Sequence, residues 1–261
     1  RNTLVQSSLT LGSRILGFAR DILLVAKLGA GPINDAWVTA QQFPNLFRRI
    51  FAEGAFASAF VPTYARTLEA EGPEAAQAVA QEAMRVLFAF TAALTILAQI
   101  FMPWVLLIIH GGQADDTVHY NLAVLLTRIT MPYLTCMALA ALLSGVLNSG
   151  QRFILSSGVP TLLNLCLIPA ALISDVPEIV SKAAAVAVLI AGVLQVALLW
   201  WGVRRQKVRL GLIGWPRITP SVKKVMALAV PGTIAASGTQ INIIVSQSLA
   251  SFEQAAKSWL Y

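Results

Sequence analysis

Long, mostly apolar runs follow one another along the whole chain, separated only by short polar, Gly or Pro punctuation. A run of about 20 such residues spans the ~30 Å hydrocarbon core of a bilayer as an α-helix. With no water there to satisfy backbone N–H and C=O groups, an apolar segment has few alternatives to a helix. The stretches are 3–28, 33–62, 79–109, 120–148, 153–173, 183–203 and 225–252. Composition agrees: 57% of residues are apolar, 12% are charged and the mean hydropathy is +0.71, whereas a soluble domain carries about 25% charged residues. The chain is expected to be an all-α polytopic membrane protein. No cleavable signal peptide is expected, because the first stretch carries internal arginines and no small-residue cleavage pattern follows it.

The net charge of +7 is not spread as a nucleic-acid-binding surface would be. Arg204, Arg205, Lys207, Arg209, Arg217, Lys223 and Lys224 crowd one loop, whereas loops 110–119 and 174–182 together hold only Lys182. That asymmetry is the positive-inside pattern. It predicts a cytoplasmic N-terminus, with 63–78, 149–152 and 204–224 on the same side and 29–32, 110–119 and 174–182 outside. Cys136 and Cys166 lie within apolar stretches, where a free thiol packs as a small hydrophobe. His110 and His119 flank an outer loop without supporting metal-ligand spacing, so a solvated loop is expected there and no metal.

Two stretches carry charge at membrane depth. Ser13-Arg14-Ile15-Leu16-Gly17-Phe18-Ala19-Arg20-Asp21 lies in the first, and Asn45-Leu46-Phe47-Arg48-Arg49-Ile50-Phe51-Ala52-Glu53-Gly54 in the second. An ionisable group there costs roughly 2.5–3.5 kcal/mol on insertion scales, and it persists when it faces a bundle interior or a water-filled cavity. Thr3, Gln6, Thr10, Ser13, Gly17 and Arg20 recur at steps of three and four, which is one helix face. Arg14 and Asp21 fall on the adjacent row. This polar face is expected to line a cavity. Arg14 lies about 16 Å inside the stretch, too deep for easy escape, while at Arg20 snorkelling to the outer interface is a competing reading.

The second stretch, 33–62, would measure ~45 Å as one straight helix, longer than the hydrocarbon core. A break is expected at Pro44, which frees the carbonyl four residues back. Arg49 and Glu53 are spaced to pair at i,i+4, which leaves Arg48 as the unpaired cation. Residues 63–82 read as a solvated linker with a surface helix after Gly72-Pro73. In 120–148, Pro132 cannot bond the carbonyl of Arg128, so a kink is expected. Pro160, Asn164 and Pro169 predict an irregular fifth helix. Trp200-Trp201 reads as an interfacial anchor before the basic cluster. The last stretch again bears a polar face, with Thr233, Ser237, Gln240, Gln247 and Ser251. A parallel second copy of a transporter lobe would begin in this way. The expected organisation is a six-helix transporter lobe (1–203), a basic cytoplasmic loop (204–224) and the first helix of a second lobe (225–261), forming the N-terminal half of a larger protein.

The two charged segments, with Gly29-Ala30-Gly31, Asp35-Ala36, Pro44 to Phe56 and Ala59-Phe60-Val61-Pro62, closely resemble the lipid II flippase family (MurJ, also called MviN) of the multidrug/oligosaccharidyl-lipid/polysaccharide exporter superfamily. Thr161-Leu162-Leu163-Asn164 and Ser258-Trp259-Leu260-Tyr261 extend the resemblance more loosely. It implies two six-helix lobes around a cationic cavity. It also implies alternating-access transfer of undecaprenyl-diphosphate-linked disaccharide-pentapeptide (lipid II) from the inner to the outer leaflet of the bacterial cytoplasmic membrane. Arg14, Arg20 and Arg48, with Ser13 and Asn45 beside them, become candidate substrate-binding residues. Gly17, Asp21, Asp35, Pro44, Arg49 and Glu53 become candidate structural or gating residues. No enzymatic step and no cofactor is implied, and a coupling ion or the membrane potential stands as the energy source. Membrane lipids and cell-wall synthesis proteins are further implied partners, and nucleic acid is not.

The arginines suit that task chemically, since guanidinium is a permanently charged planar fork matched to phosphate oxygens. An exporter of another lipid-linked saccharide or of drugs would share the architecture, although a cationic-drug exporter should show acidic cavity residues. A voltage-gated channel would place arginines at every third position of one helix, which Arg14 and Arg20 do not.

Overall fold

The computed structural model describes residues 2–51, 55–109, 117–150, 153–212 and 214–229. Its elements are α1 (Asn2–Leu28), α2 (Pro32–Phe51), α3 (Ala55–Ala70), α4 (Pro73–Ile109), α5 (Thr117–Thr130), α6 (Tyr133–Ser149), α7 (Phe153–Leu172) and α8 (Pro177–Arg205). Glycine and proline punctuate them. Gly29 and Gly72 take positive φ, 70° and 89°, where a helix end turns left-handed. Pro32, Pro73 and Pro177 then open the following helices, in the first turn, where the missing N–H would have no helical acceptor anyway. A further helical stretch runs over 220–229, so the expected last stretch lies largely outside the described residues.

Pro73–Leu107, Val118–Ser149, Ile154–Leu172 and Pro177–Arg205 are long and apolar enough to cross a bilayer. Arg14, Arg20 and Asp21 sit on α1, and Asp35, Arg48 and Arg49 on α2. Phe90, Ile100, Trp104, Leu165, Ile190 and Val193 point outward and exposed, the surface a hydrocarbon solvent would cover. At the centre lies α6, apolar all round, as a fully enclosed helix must be. It packs against α2, α3, α4, α7 and α8. Small residues let these helices close up: a Cβ added at Gly192 of α8 would stand 2.5 Å from the Tyr133 ring, and one at Gly145 would stand 3.1 Å from Phe60.

Three expectations are corrected. The helix does not break at Pro44, because α2 continues to Phe51. The carbonyl that Pro44 leaves without a helical donor belongs to Ala40, and it accepts a hydrogen bond from the Thr130 hydroxyl at 3.0 Å. The helix expected after Gly72-Pro73 is present as the start of α4, but residues 63–82 are no solvated linker: α3 runs to Ala70, and Tyr64, Ala76 and Ala80 are buried. Pro160 and Pro169 do not interrupt α7, which is helical throughout.

The expected kink at Pro132 is present, between α5 and α6. There the Arg128 carbonyl accepts from Gln99 Nε2 at 2.7 Å. In return Arg128 Nε donates at 3.0 Å to the Gln99 carbonyl. Gln99 lies four residues before Pro103, which sits within α4, so its carbonyl too lacks a helical donor. Each helix supplies the donor that the other's proline removes.

The loops fall at two ends. At one end Lys27, at the close of α1, forms an ion pair with Asp175, which precedes α8. The Lys27 ammonium beside it, by hydrogen bond and by charge, holds the Asp175 carboxyl below its ordinary range. At the other end the segment after α8 is strapped to α4. Gln77 Oε1 accepts from the Arg209 backbone N–H at 3.0 Å, Gln81 Oε1 from Gly211 at 2.7 Å and Glu82 Oε2 from Arg217 at 3.2 Å. Arg205 stacks 4.0 Å from the Trp201 ring centroid, and Arg204 5.8 Å from Trp200, so the anchoring tryptophans also hold the first cations of the basic loop.

Candidate functional site

Four of the candidate site residues, Ser13, Gly17, Arg20 and Asp21, meet around Asn164 of α7, which the sequence marked only as part of an irregular helix and of a shared motif. Arg20 Nε and Nη2 donate to Asp21 Oδ1 at 2.9 and 2.7 Å, and Nη1 donates to Asn164 Oδ1 at 2.9 Å. Asn164 Nδ2 donates to the backbone carbonyl of Ser13 at 2.9 Å. Gly17 lies beside this amide: a Cβ there would stand 3.6 Å from Nδ2 and 3.9 Å from Oδ1. A larger side chain would therefore push Asn164 off α1. The helices are parallel, and their depths agree: Arg20 precedes Leu28, the end of α1, by the same eight residues by which Asn164 precedes Leu172, the end of α7. Each group is thus about 12 Å from its helix end.

This lateral hold explains how a cation sits at that depth. The Arg20 side chain is only 20% exposed, while that of Asp21 is 61% exposed. An enclosed guanidinium is stable when it is paired and hydrogen-bonded, and here one carboxylate and one amide do both. Arg20 is therefore held sideways within the bundle and does not snorkel to the interface. Guanidinium has five N–H donors, and three are engaged by these contacts, so the remaining two can meet an anion.

The expectation that the polar face of α1 opens on a cavity is corrected in part. The row through Ser13, Gly17 and Arg20 docks on α7, because an amide in an apolar helix needs partners and α1 supplies them. The open row is the adjacent one, where Arg14 and Asp21 alternate with Leu11, Phe18 and Val25, all exposed. Asn45 is also exposed. Asp35 is buried in the first turn of α2, where a carboxylate complements the helix dipole. Pro44 lies inside α2. The side chains of Thr3, Gln6, Thr10, Arg48 and Arg49, and residue Glu53 entirely, lie outside the described residues, and so does the expected Arg49–Glu53 pair.

Asn164 had a signal in the sequence. It is a lone amide between Leu163 and Leu165 in a helix otherwise free of amide and charged side chains, and such a group marks an interhelical contact. Gln99 and Thr130 carry the same signal more weakly, being polar residues in apolar stretches, the first four positions before Pro103 and the second two before Pro132.

Comparison with known proteins places this geometry in a family. Residues 24–261 match the family model described as "Lipid II flippase MurJ". A probable lipid II flippase MurJ of Rhizobium tropici is 42% identical over 255 residues, covering 95% of this chain and 47% of the relative. The lipid II flippase MurJ of Burkholderia cenocepacia is 36% identical over 266 residues, covering 100% of this chain and 51% of that protein. A solved structure of lipid II flippase MurJ in an inward closed conformation superposes with a TM-score of 0.80 at 25% identity, over 98% of this chain and 53% of the other. The chain thus spans about half the length of the curated relatives it matches. On these grounds the chain belongs to the lipid II flippase MurJ family.

Proposed function

We propose that the full protein moves lipid II from the inner to the outer leaflet of the bacterial cytoplasmic membrane by alternating access, and that this chain contributes one lobe of the transport path. The observation that carries the reading is Arg20, a guanidinium held within the bundle by Asp21 and Asn164 with donors left over, next to the exposed row of Arg14. A diphosphate carries two or more negative charges, and arginines can replace its hydration shell oxygen by oxygen. Such transfer needs no covalent step. Arg48 is the third arginine assigned to the substrate site in this reading, and Ser13 and Asn45 are assigned to it as well. Asp35, Arg49 and Glu53 support the helices that carry it, and a coupling ion or the membrane potential drives the cycle.

In this reading α1, the α2–α3 pair, α4, the α5–α6 pair, α7 and α8 form a six-helix lobe, and the helix entered at 220–229 starts the second. The end bearing Arg204, Arg205, Lys207, Arg209 and Arg217 is cytoplasmic, and the end bearing Lys27, Asp175 and Lys182 faces outward, as the charge asymmetry favours. In the full-length protein, Arg14→Ala, Arg20→Ala and Arg48→Ala are each expected to leave membrane levels near normal and to abolish exposure of lipid II in the outer leaflet. Lysine substitutions are expected to rescue only partly, since they keep the charge and lose the fork. Accessibility of lipid II to an external probe, read beside complementation of a depleted strain, decides the matter. Normal transport by all three alanine variants would overturn the proposal.

A further inference from the structure

Asn164 stands out because its two ends face chemically opposite groups. Its Oδ1 meets a guanidinium, which only donates, and its Nδ2 meets a backbone carbonyl, which only accepts. The amide therefore has one workable orientation, and that orientation is pinned by α1 itself. Through Nη1 it fixes the plane of the Arg20 fork, whose other edge is closed on Asp21. A carboxylate at 164 could accept from Arg20 equally well, but beside Asp21 it would make two negative charges to one positive. It would also repel the Ser13 carbonyl. A neutral amide holds the arginine and leaves its response to an anion intact.

We infer that Asn164 is a positioning residue for the anion site: it orients the Arg20 guanidinium through α7 without cancelling its charge, so that the unengaged N–H groups remain available to diphosphate oxygens. The inference rests on the reading of Arg20 given above. It also gives Gly17 a definite part, since the space beside that glycine is where the amide sits. Because one end of the amide is tied to the α1 backbone and the other to an α1 side chain, a shift of α1 along α7 breaks both bonds together. The orientation of Arg20 is in this way linked to the packing of the two helices.

The test is a double-mutant cycle on the purified full-length protein, with farnesyl diphosphate as probe and thermal unfolding measured alongside. Arg20→Ala and Asn164→Ala are each expected to weaken binding by about tenfold, the size of one charge-assisted hydrogen bond. In the Arg20→Ala background, Asn164→Ala should then cost nothing further, because Asn164 acts through Arg20. Asn164→Asp keeps the size and the acceptor, and it should weaken binding at least as much as alanine while the protein stays folded. Equal, additive losses in both backgrounds would overturn the inference. So would unchanged binding by the Asn164 variants, or loss of folded protein in both, which would assign Asn164 to the fold alone. If Arg20→Ala itself binds normally, the anion reading of Arg20 fails first and the inference falls with it. A weak Arg20→Ala beside a normal Asn164→Ala removes the inference and leaves that reading intact.

Discussion

At the scale of single residues, two glycines in the bundle face opposite constraints. At Gly17 an added Cβ would meet the Asn164 amide at ordinary contact distance, 3.6 Å, and α1 is helical through this point, so alanine fits. Gly17→Ala is expected to keep or slightly raise the melting temperature, since glycine within a helix costs roughly 0.5–1 kcal/mol relative to alanine. Gly17→Leu should lower it and weaken diphosphate binding by dislodging Asn164. A hinge role at Gly17 would give a different pattern, with Gly17→Ala stable and inactive. At Gly192 a Cβ would stand 2.5 Å from Tyr133 Cδ2 and 3.0 Å from Cys136 Cβ, and the Tyr133 hydroxyl is tied to Gln195 at 3.3 Å. Gly192→Ala should therefore cost about 1–3 kcal/mol, the usual toll of overpacking, read as a lower melting temperature in detergent. Both glycines are plain in the sequence. Their unlike tolerances come from the neighbours that face them.

At the scale of elements, the prolines carry the argument. Pro44, Pro103 and Pro132 each strip a donor from the carbonyl four residues earlier, and side chains on adjacent helices replace it. In lipid an unsatisfied carbonyl is especially costly, so these side chains are what permits proline at such depths. The pairing of Arg128 with the Gln99 carbonyl makes a sharp prediction. Arg128→Ala should destabilise by about 1–3 kcal/mol, the cost of a stranded buried acceptor. Adding Pro103→Ala should recover most of that loss, because alanine at 103 restores the helical N–H that Gln99 lacks. The measurement is thermal unfolding of the single and double variants, and a double variant no better than Arg128→Ala would reject the exchange. The freed Arg128 carbonyl was legible from the spacing of Arg128 and Pro132 alone. Its donor, Gln99, lies 29 residues away along the chain on a helix whose rotation and depth no local pattern specifies.

At the scale of the whole molecule, the two ends differ in charge. The strap from Arg209 to Arg217 is fastened to the start of α4 at one end, and the Lys27–Asp175 pair closes the other. Single cysteines at Gly112 and Ser174, in a background without Cys136 and Cys166, should react with an impermeant thiol reagent added to sealed cells. One at Gln206 should not, and its labelling from outside would reverse the orientation. By itself the sequence determined that this is a helical membrane protein, roughly where its helices begin and end, and which residues are too costly at membrane depth to be there by accident. Those properties follow from backbone satisfaction in lipid and from the price of burying charge, which act locally and leave a mark at each position. Only the tertiary structure decided that α2 runs through Pro44, that α3 continues to Ala70 and packs into the core, and that Arg20 is held by Asn164 while Arg14 stays open. Such partnerships form when two helices share a depth and turn the right faces to each other. Depth and rotation are set by the packing around α6, which no single stretch of sequence contains.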